Sequence, residues 1–104
     1  MIPEVKNNLD KIIAACKRMQ LKSLHLFGSG ARVKDYTQNS DLDFLFSMVT
    51  GKDGMPVSGF DYFDVLWELE KITGKKVDLV AAEKIRNKYF LQSVLEDQIK
   101  LYEA

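Results

Sequence analysis

The chain has 104 residues, 46% of them hydrophobic, and fifteen acidic residues balance fifteen basic ones for a formal net charge of +0. That size suits one domain over residues 1–104, and the hydrophobic share excludes a disordered chain. The charge balance argues against a nucleic-acid coat or a polybasic membrane binder, though not against a local basic patch; no membrane partner and no direct nucleic-acid contact is expected.

Cys16 is the only cysteine and cannot form an internal disulfide, which fits a reducing compartment. The N-terminal stretch is charged and has no apolar signal core, and no apolar run approaches membrane-spanning length. The expectation is a soluble, cytoplasmic protein. A core this small leaves little surplus stability, so a homodimer or hetero-oligomer stays open.

In chain order, Pro3 to Gln20 reads as an amphipathic helix, with Val5, Leu9, Ile12, Ile13, Cys16 and Met19 recurring at three- and four-residue steps. Ser23 to Phe27 reads as a strand stopped by Gly28. "GSGARVKDY" is a tight turn feeding a short helix, with Ser29 as its cap. "TQNS" is a turn. "DLDFLFSMV" is a second strand, placing Asp41, Asp43 and Leu45 on one face and Leu42, Phe44 and Phe46 on the other. The glycine-rich 50–59 segment is read as a flexible loop. Phe60 to Thr73 is a helix built on Phe63, Leu66, Trp67, Leu69 and Ile72, with Gly74 at its stop. "KKVDLVA" is a third strand. Glu83 to Asp97 is helical with a break near Asn87, and "QIKLYE" is a last short strand or the helix tail. The order α-β-α-β-α-β-α implies an α+β (α/β) domain with a small mixed sheet flanked by helices.

The chemistry-bearing residues gather around the first turn and the second strand. Residues two apart on a strand point the same way, about 6.5–7 Å apart, so Asp41 and Asp43 can bend onto a shared hard cation. Asp78 interrupts an otherwise apolar strand, and an aspartate there makes sense if it faces the same metal ions. It could ligate one ion and draw the proton from an attacking hydroxyl. Gly28 and Gly30 let the backbone approach a ligand, Ser29 offers a hydroxyl, and the following helix start favours an anion. A phosphate cradle beside metal ligands is the arrangement a reaction at phosphate needs.

Gly28-Ser29, eleven residues, Asp41-Leu42-Asp43, and Asp78 on a later strand together resemble the nucleotidyltransferase superfamily that includes DNA polymerase β. "GSGAR…NSDLDFLF" looks most like its minimal nucleotidyltransferase (MNT) branch, small prokaryotic proteins paired with HEPN-domain partners. The resemblance covers nearly the whole chain. It implies a mixed sheet flanked by helices and a Mg²⁺-dependent transfer, with two ions, of a nucleoside monophosphate from ATP or another NTP to a hydroxyl. Gly28 and Ser29 would hold the triphosphate, and Asp41, Asp43 and Asp78 would bind the metals and form the catalytic triad. It further implies an antitoxin that places AMP on a tyrosine of a HEPN toxin. The family often has glycine after the arginine of the motif, where this chain has Val33.

Blander readings stand beside these. Arg32 is either a phosphate contact or a surface arginine. His25 is read as structural, Cys16 as core, and Phe60, Phe63 and Trp67 as core or partner interface. The rival function is a non-catalytic nucleotide-binding or docking antitoxin that neutralises its partner by complex formation. A weaker third is transfer to a hydroxylated small molecule such as an aminoglycoside.

Overall fold

The alternation Leu42, Phe44, Phe46 is the local signal of a strand with one face in a core. In the structure, a computed structural model describing all residues from Met1 to Ala104, that strand lies inside a four-stranded sheet. The strands are Leu21–Phe27 (β1), Leu42–Met48 (β2), Val77–Ala81 (β3) and Ile99–Glu103 (β4), in the spatial order β3-β2-β1-β4. β1 runs antiparallel to β2 and β4, while β2 and β3 are parallel, so the sheet is mixed. The "QIKLYE" segment is therefore a strand, and it extends the expected element order by one.

Helices Pro3–Lys6 (α1), Leu9–Arg18 (α2) and Tyr62–Thr73 (α4) cover one face. Val5, Ile12, Ala15, Cys16, Val65 and Leu69 meet Leu24, Leu26, Leu42, Phe44, Phe46 and Leu79 in the main core. Each such large side chain contributes about 1.5–3 kcal/mol by leaving water. The opposite face carries a smaller cluster of Phe27 and Leu45 under Val94 of helix Lys88–Asp97 (α5). Between β1 and β2 lies one further turn of helix, Ser29–Arg32 (α3).

The single helix expected over 3–20 is broken at Asn7 and Asn8. The Asn8 side chain donates to the Glu4 carbonyl at 2.8 Å, a local bond that competes with a continuous helix. α4 starts at a capping box: the Asp64 N–H donates to Asp61 Oδ1 and the Asp61 N–H to Asp64 Oδ2, both at 3.0 Å. It stops at Gly74, whose φ of 69° fits the left-handed cap expected there. Its buried positions are Val65, Leu69 and Thr73, so Phe63 and Trp67 face outward. The 50–59 segment folds back on itself, with Thr50 bridged to Pro56 and the Val57 N–H donating to the Val49 carbonyl at 3.0 Å.

β3 is an edge strand, and α4 caps its open backbone. The Val77 N–H donates to Glu70 Oε2 at 3.0 Å, and the Tyr62 hydroxyl donates to the Leu79 carbonyl at 2.7 Å. Side chains thus satisfy edge groups that would otherwise invite another strand.

Candidate active site

β1 delivers the chain to Gly28, which sits at φ 69° and ψ −152°, a region open to glycine and strained for any other residue. A Cβ built on Gly28 would overlap the Asp43 carboxylate. The reason lies in the register: Phe27 pairs with Asp43 across the antiparallel β1–β2 ladder, and Gly28 is the next residue. Glycine here is what lets the turn lie directly against that carboxylate.

Asp43 in turn pairs with Asp78 in the parallel β2–β3 ladder, which points both side chains to the same face of the sheet. Asp43 is half-buried and Asp78 exposed. Asp41 is exposed and lies one residue before β2 begins, on the approach to the strand rather than inside it. The three share a field. Burial first, then the charges of Asp78 and Asp41, push the Asp43 carboxyl up from the usual 3.8 to about 6, and Arg32 opposes that push.

No three His, Cys, Asp or Glu side chains stand close enough to enclose a metal ion in this arrangement. Like-charged carboxylates repel, and side chains at the exposed end of a sheet are free to splay. The residues nevertheless fit a hard divalent cation. All the donors are carboxylate oxygens, and a cation bound beside Asp43 would offset both the burial and the like charges that raise its pKa.

Ser29 is half-buried beside Gly28 but is not the expected cap. Gly28 holds the N-cap position of α3 and no side chain caps it, so the Ser29 hydroxyl is not spent on the helix. With only four residues, α3 adds little dipole of its own. Gly30 is buried against Ile2, Leu26 and Leu42, so its role here is close packing rather than ligand approach.

Arg32 is not free. Its Nε donates to Asp35 Oδ2 at 2.8 Å and its Nη1 to Asp97 Oδ2 at 3.2 Å. Asp97 closes α5, and nothing local in the sequence pointed to it. Ser47, buried on the same sheet face as Asp43, donates to Glu83, a second contact missed because it spans 36 residues. A groove of about 810 Å³ lies at the other end of β2, lined by Met48, Met55, Tyr62, Phe63 and Leu79, away from the carboxylates.

His25 is half-buried in β1, with burial and Lys100 lowering its pKa, and no second histidine stands by it. Cys16 is 1% exposed and its thiol is pushed up to about 12 by burial, as a core residue should be. No helix is long and apolar enough to cross a membrane.

The sequence pattern of the nucleotidyltransferase domain matches residues 9–101. A protein of Methanocaldococcus jannaschii, provisionally named a protein adenylyltransferase, is 37% identical over 99 residues, spanning 94% of this chain and 95% of that relative. Among solved structures, one provisionally named a minimal nucleotidyltransferase superposes with a TM-score of 0.71 at 24% identity, covering 91% of this chain and 90% of that one. A chain from the complex of a tri-AMPylated Shewanella oneidensis HEPN toxin with an MNT antitoxin gives 0.63 at 19% identity, covering 95% and 72%. At these identities the two structures establish the fold they share with this chain.

Proposed function

The chain belongs to the nucleotidyltransferase domain family, and from that membership we propose that it transfers AMP from ATP to a hydroxyl of a protein. The acceptor is a tyrosine of a cognate HEPN toxin, and the chain acts as the antitoxin. One observation carries this reading: Asp43 and Asp78 are aligned on parallel strands, with the Gly28 turn pressed against Asp43.

The mechanism follows from the residues at that point. Gly28 and Ser29 hold the triphosphate, the glycine by letting the backbone approach and the serine through its uncommitted hydroxyl. Arg32 adds positive charge beside the phosphates. Asp41, Asp43 and Asp78 would hold two Mg²⁺ ions, which supply charge neutralisation at the phosphates when bound. Asp78, exposed on the edge strand, takes the proton of the attacking hydroxyl. The hydroxyl oxygen bonds to the α-phosphorus, the bond from the α-phosphorus to the bridging oxygen of the β-phosphate breaks, and pyrophosphate leaves. The relative named as a protein adenylyltransferase and the fold shared with a toxin–antitoxin complex support protein as the acceptor class.

The test uses α-phosphate-labelled ATP, Mg²⁺, the purified protein and a lysate from its source. Label on one protein band with the wild type and none with Asp41→Asn is the expected result. No label with any NTP, with the acceptor present, overturns the assignment.

A second reading, a docking antitoxin without catalysis, draws on one observation: the three carboxylates do not close around a point. Under it, Asp41→Asn and Asp43→Asn both still protect cells from the partner. Under the first reading both lose protection.

A further inference from the structure

The Arg32 guanidinium stands at a junction of two parts of the fold. It leaves α3, directly after the Gly28 turn, and is held by Asp35 from its own loop and by Asp97 from the end of α5, 65 residues away in sequence. α5 is the helix that covers Phe27 and Leu45 through Val94, on the same sheet face as Asp43. One side chain therefore ties the turn to the last turn of that helix.

The backbone is bent to make this possible. Val33 sits at φ 70° and ψ −51°, and the Lys34 N–H donates to the Arg32 carbonyl at 2.8 Å. That is a γ-turn of the rare positive-φ kind. The Tyr36 N–H closes the next turn onto the Val33 carbonyl at 2.9 Å. The reversal brings Asp35 back to the guanidinium three residues behind it. The positive charge of Arg32 also opposes the upward push on Asp43, so the guanidinium lies within electrostatic reach of that carboxylate.

We propose that Arg32, Asp35 and Asp97 form a latch in which the polyphosphate of the nucleotide competes with the two carboxylates for one guanidinium, so that nucleotide binding unties the last turn of α5 from the site. This rests on the nucleotidyltransferase reading of the Gly28 turn. A guanidinium recognises phosphate and carboxylate by the same fork of N–H donors, so the two compete for the same groups on Arg32. Both carboxylate contacts are substantially solvent-exposed, with 35% of the Arg32 side chain and 31% of that of Asp97 accessible. Pairs this exposed are weak and salt-screened, which makes displacement by a multiply charged anion easy.

The test measures equilibrium binding of α,β-methylene-ATP with Mg²⁺ to the wild type, Asp97→Asn, Arg32→Gln and the double variant, and hydrogen exchange across residues 94–98. The latch gives Asp97→Asn an affinity roughly two- to five-fold above wild type, the range of an exposed ion pair. It also predicts no gain from Asp97→Asn when Arg32 is already glutamine, and faster exchange at 94–98 when nucleotide binds the wild type. An equal gain in the Arg32→Gln background reduces the effect to general removal of negative charge and overturns the latch. Wild-type binding with no gain from Asp97→Asn, or with exchange at 94–98 unmoved by nucleotide, also overturns it and leaves the transferase reading intact. Absence of binding in every variant overturns both.

Discussion

The carboxylate of Asp43 occupies the space that a Cβ on Gly28 would fill. The contact joins the end of β1 to the second residue of β2 and fixes how near the turn lies to the acids. Gly28→Ala must both adopt a glycine-only backbone conformation and push Asp43 aside. The expected loss of stability is about 1–3 kcal/mol, read by urea denaturation, and nucleotide affinity should fall with it. A variant as stable as wild type, with unchanged affinity, would show that the contact constrains nothing.

Asp43 sets a pH dependence whose sign follows from its environment. Its folded pKa, about 6, lies above the usual 3.8, so ionising it costs more in the fold than in the unfolded chain. The penalty is fully present above pH 6, is relieved as the pH falls through 6, and is gone below 3.8. Allowing for the solvent around a half-buried carboxyl, it amounts to about 1–2 kcal/mol. Asp43→Asn should therefore melt higher than wild type at pH 8, converge with it near pH 4, and have no transferase activity. Mg²⁺ should raise the melting temperature of the wild type at pH 8 and leave Asp43→Asn much less changed.

Val33 is a β-branched residue at φ 70°, where such side chains are strained. The residue is 49% exposed, so little packing is lost by removing its side chain. Relief of about 1–3 kcal/mol of backbone strain outweighs the roughly 0.5–1 kcal/mol entropy cost of a glycine. Val33→Gly should raise the melting temperature by several degrees. An unchanged or lower value in a thermal scan would mean the γ-turn is not strained.

The parts of this fold visible in the sequence are those written in short-range pattern. The alternation around Phe44 marks a strand and its two faces without any partner in view. The carboxylates were legible for the same reason, since Asp43 stands out among apolar residues, as does Asp78. Their alignment depends on a parallel register set by α4 and the core, which no local pattern encodes. The apolar period of the first helix runs straight across Asn7 and Asn8, so periodicity overshot a break that hydrogen bonding imposes. The Arg32–Asp97 tie spans 65 residues, and only the folded chain reveals it.

α4 shows where periodicity points at two faces at once. Phe63 and Trp67 are four residues apart, and so are Val65 and Leu69; both pairs have the spacing of a core stripe. The sheet selects the second pair: Val65 and Leu69 are 0% and 1% exposed, against 54% and 61% for Phe63 and Trp67. The stability consequences diverge accordingly. Leu69→Ala should cost about 2–5 kcal/mol through lost burial and a cavity. Trp67→Ser removes a larger side chain yet should cost less than about 1 kcal/mol, chiefly its contact with Phe63 at a ring separation of 5.8 Å. Trp67 is the only tryptophan, so its fluorescence offers a direct check. In the free protein, acrylamide should quench it readily before any denaturant is added. Emission shielded from quencher, or a loss at Trp67→Ser matching that at Leu69→Ala, would place the aromatic pair in the core after all.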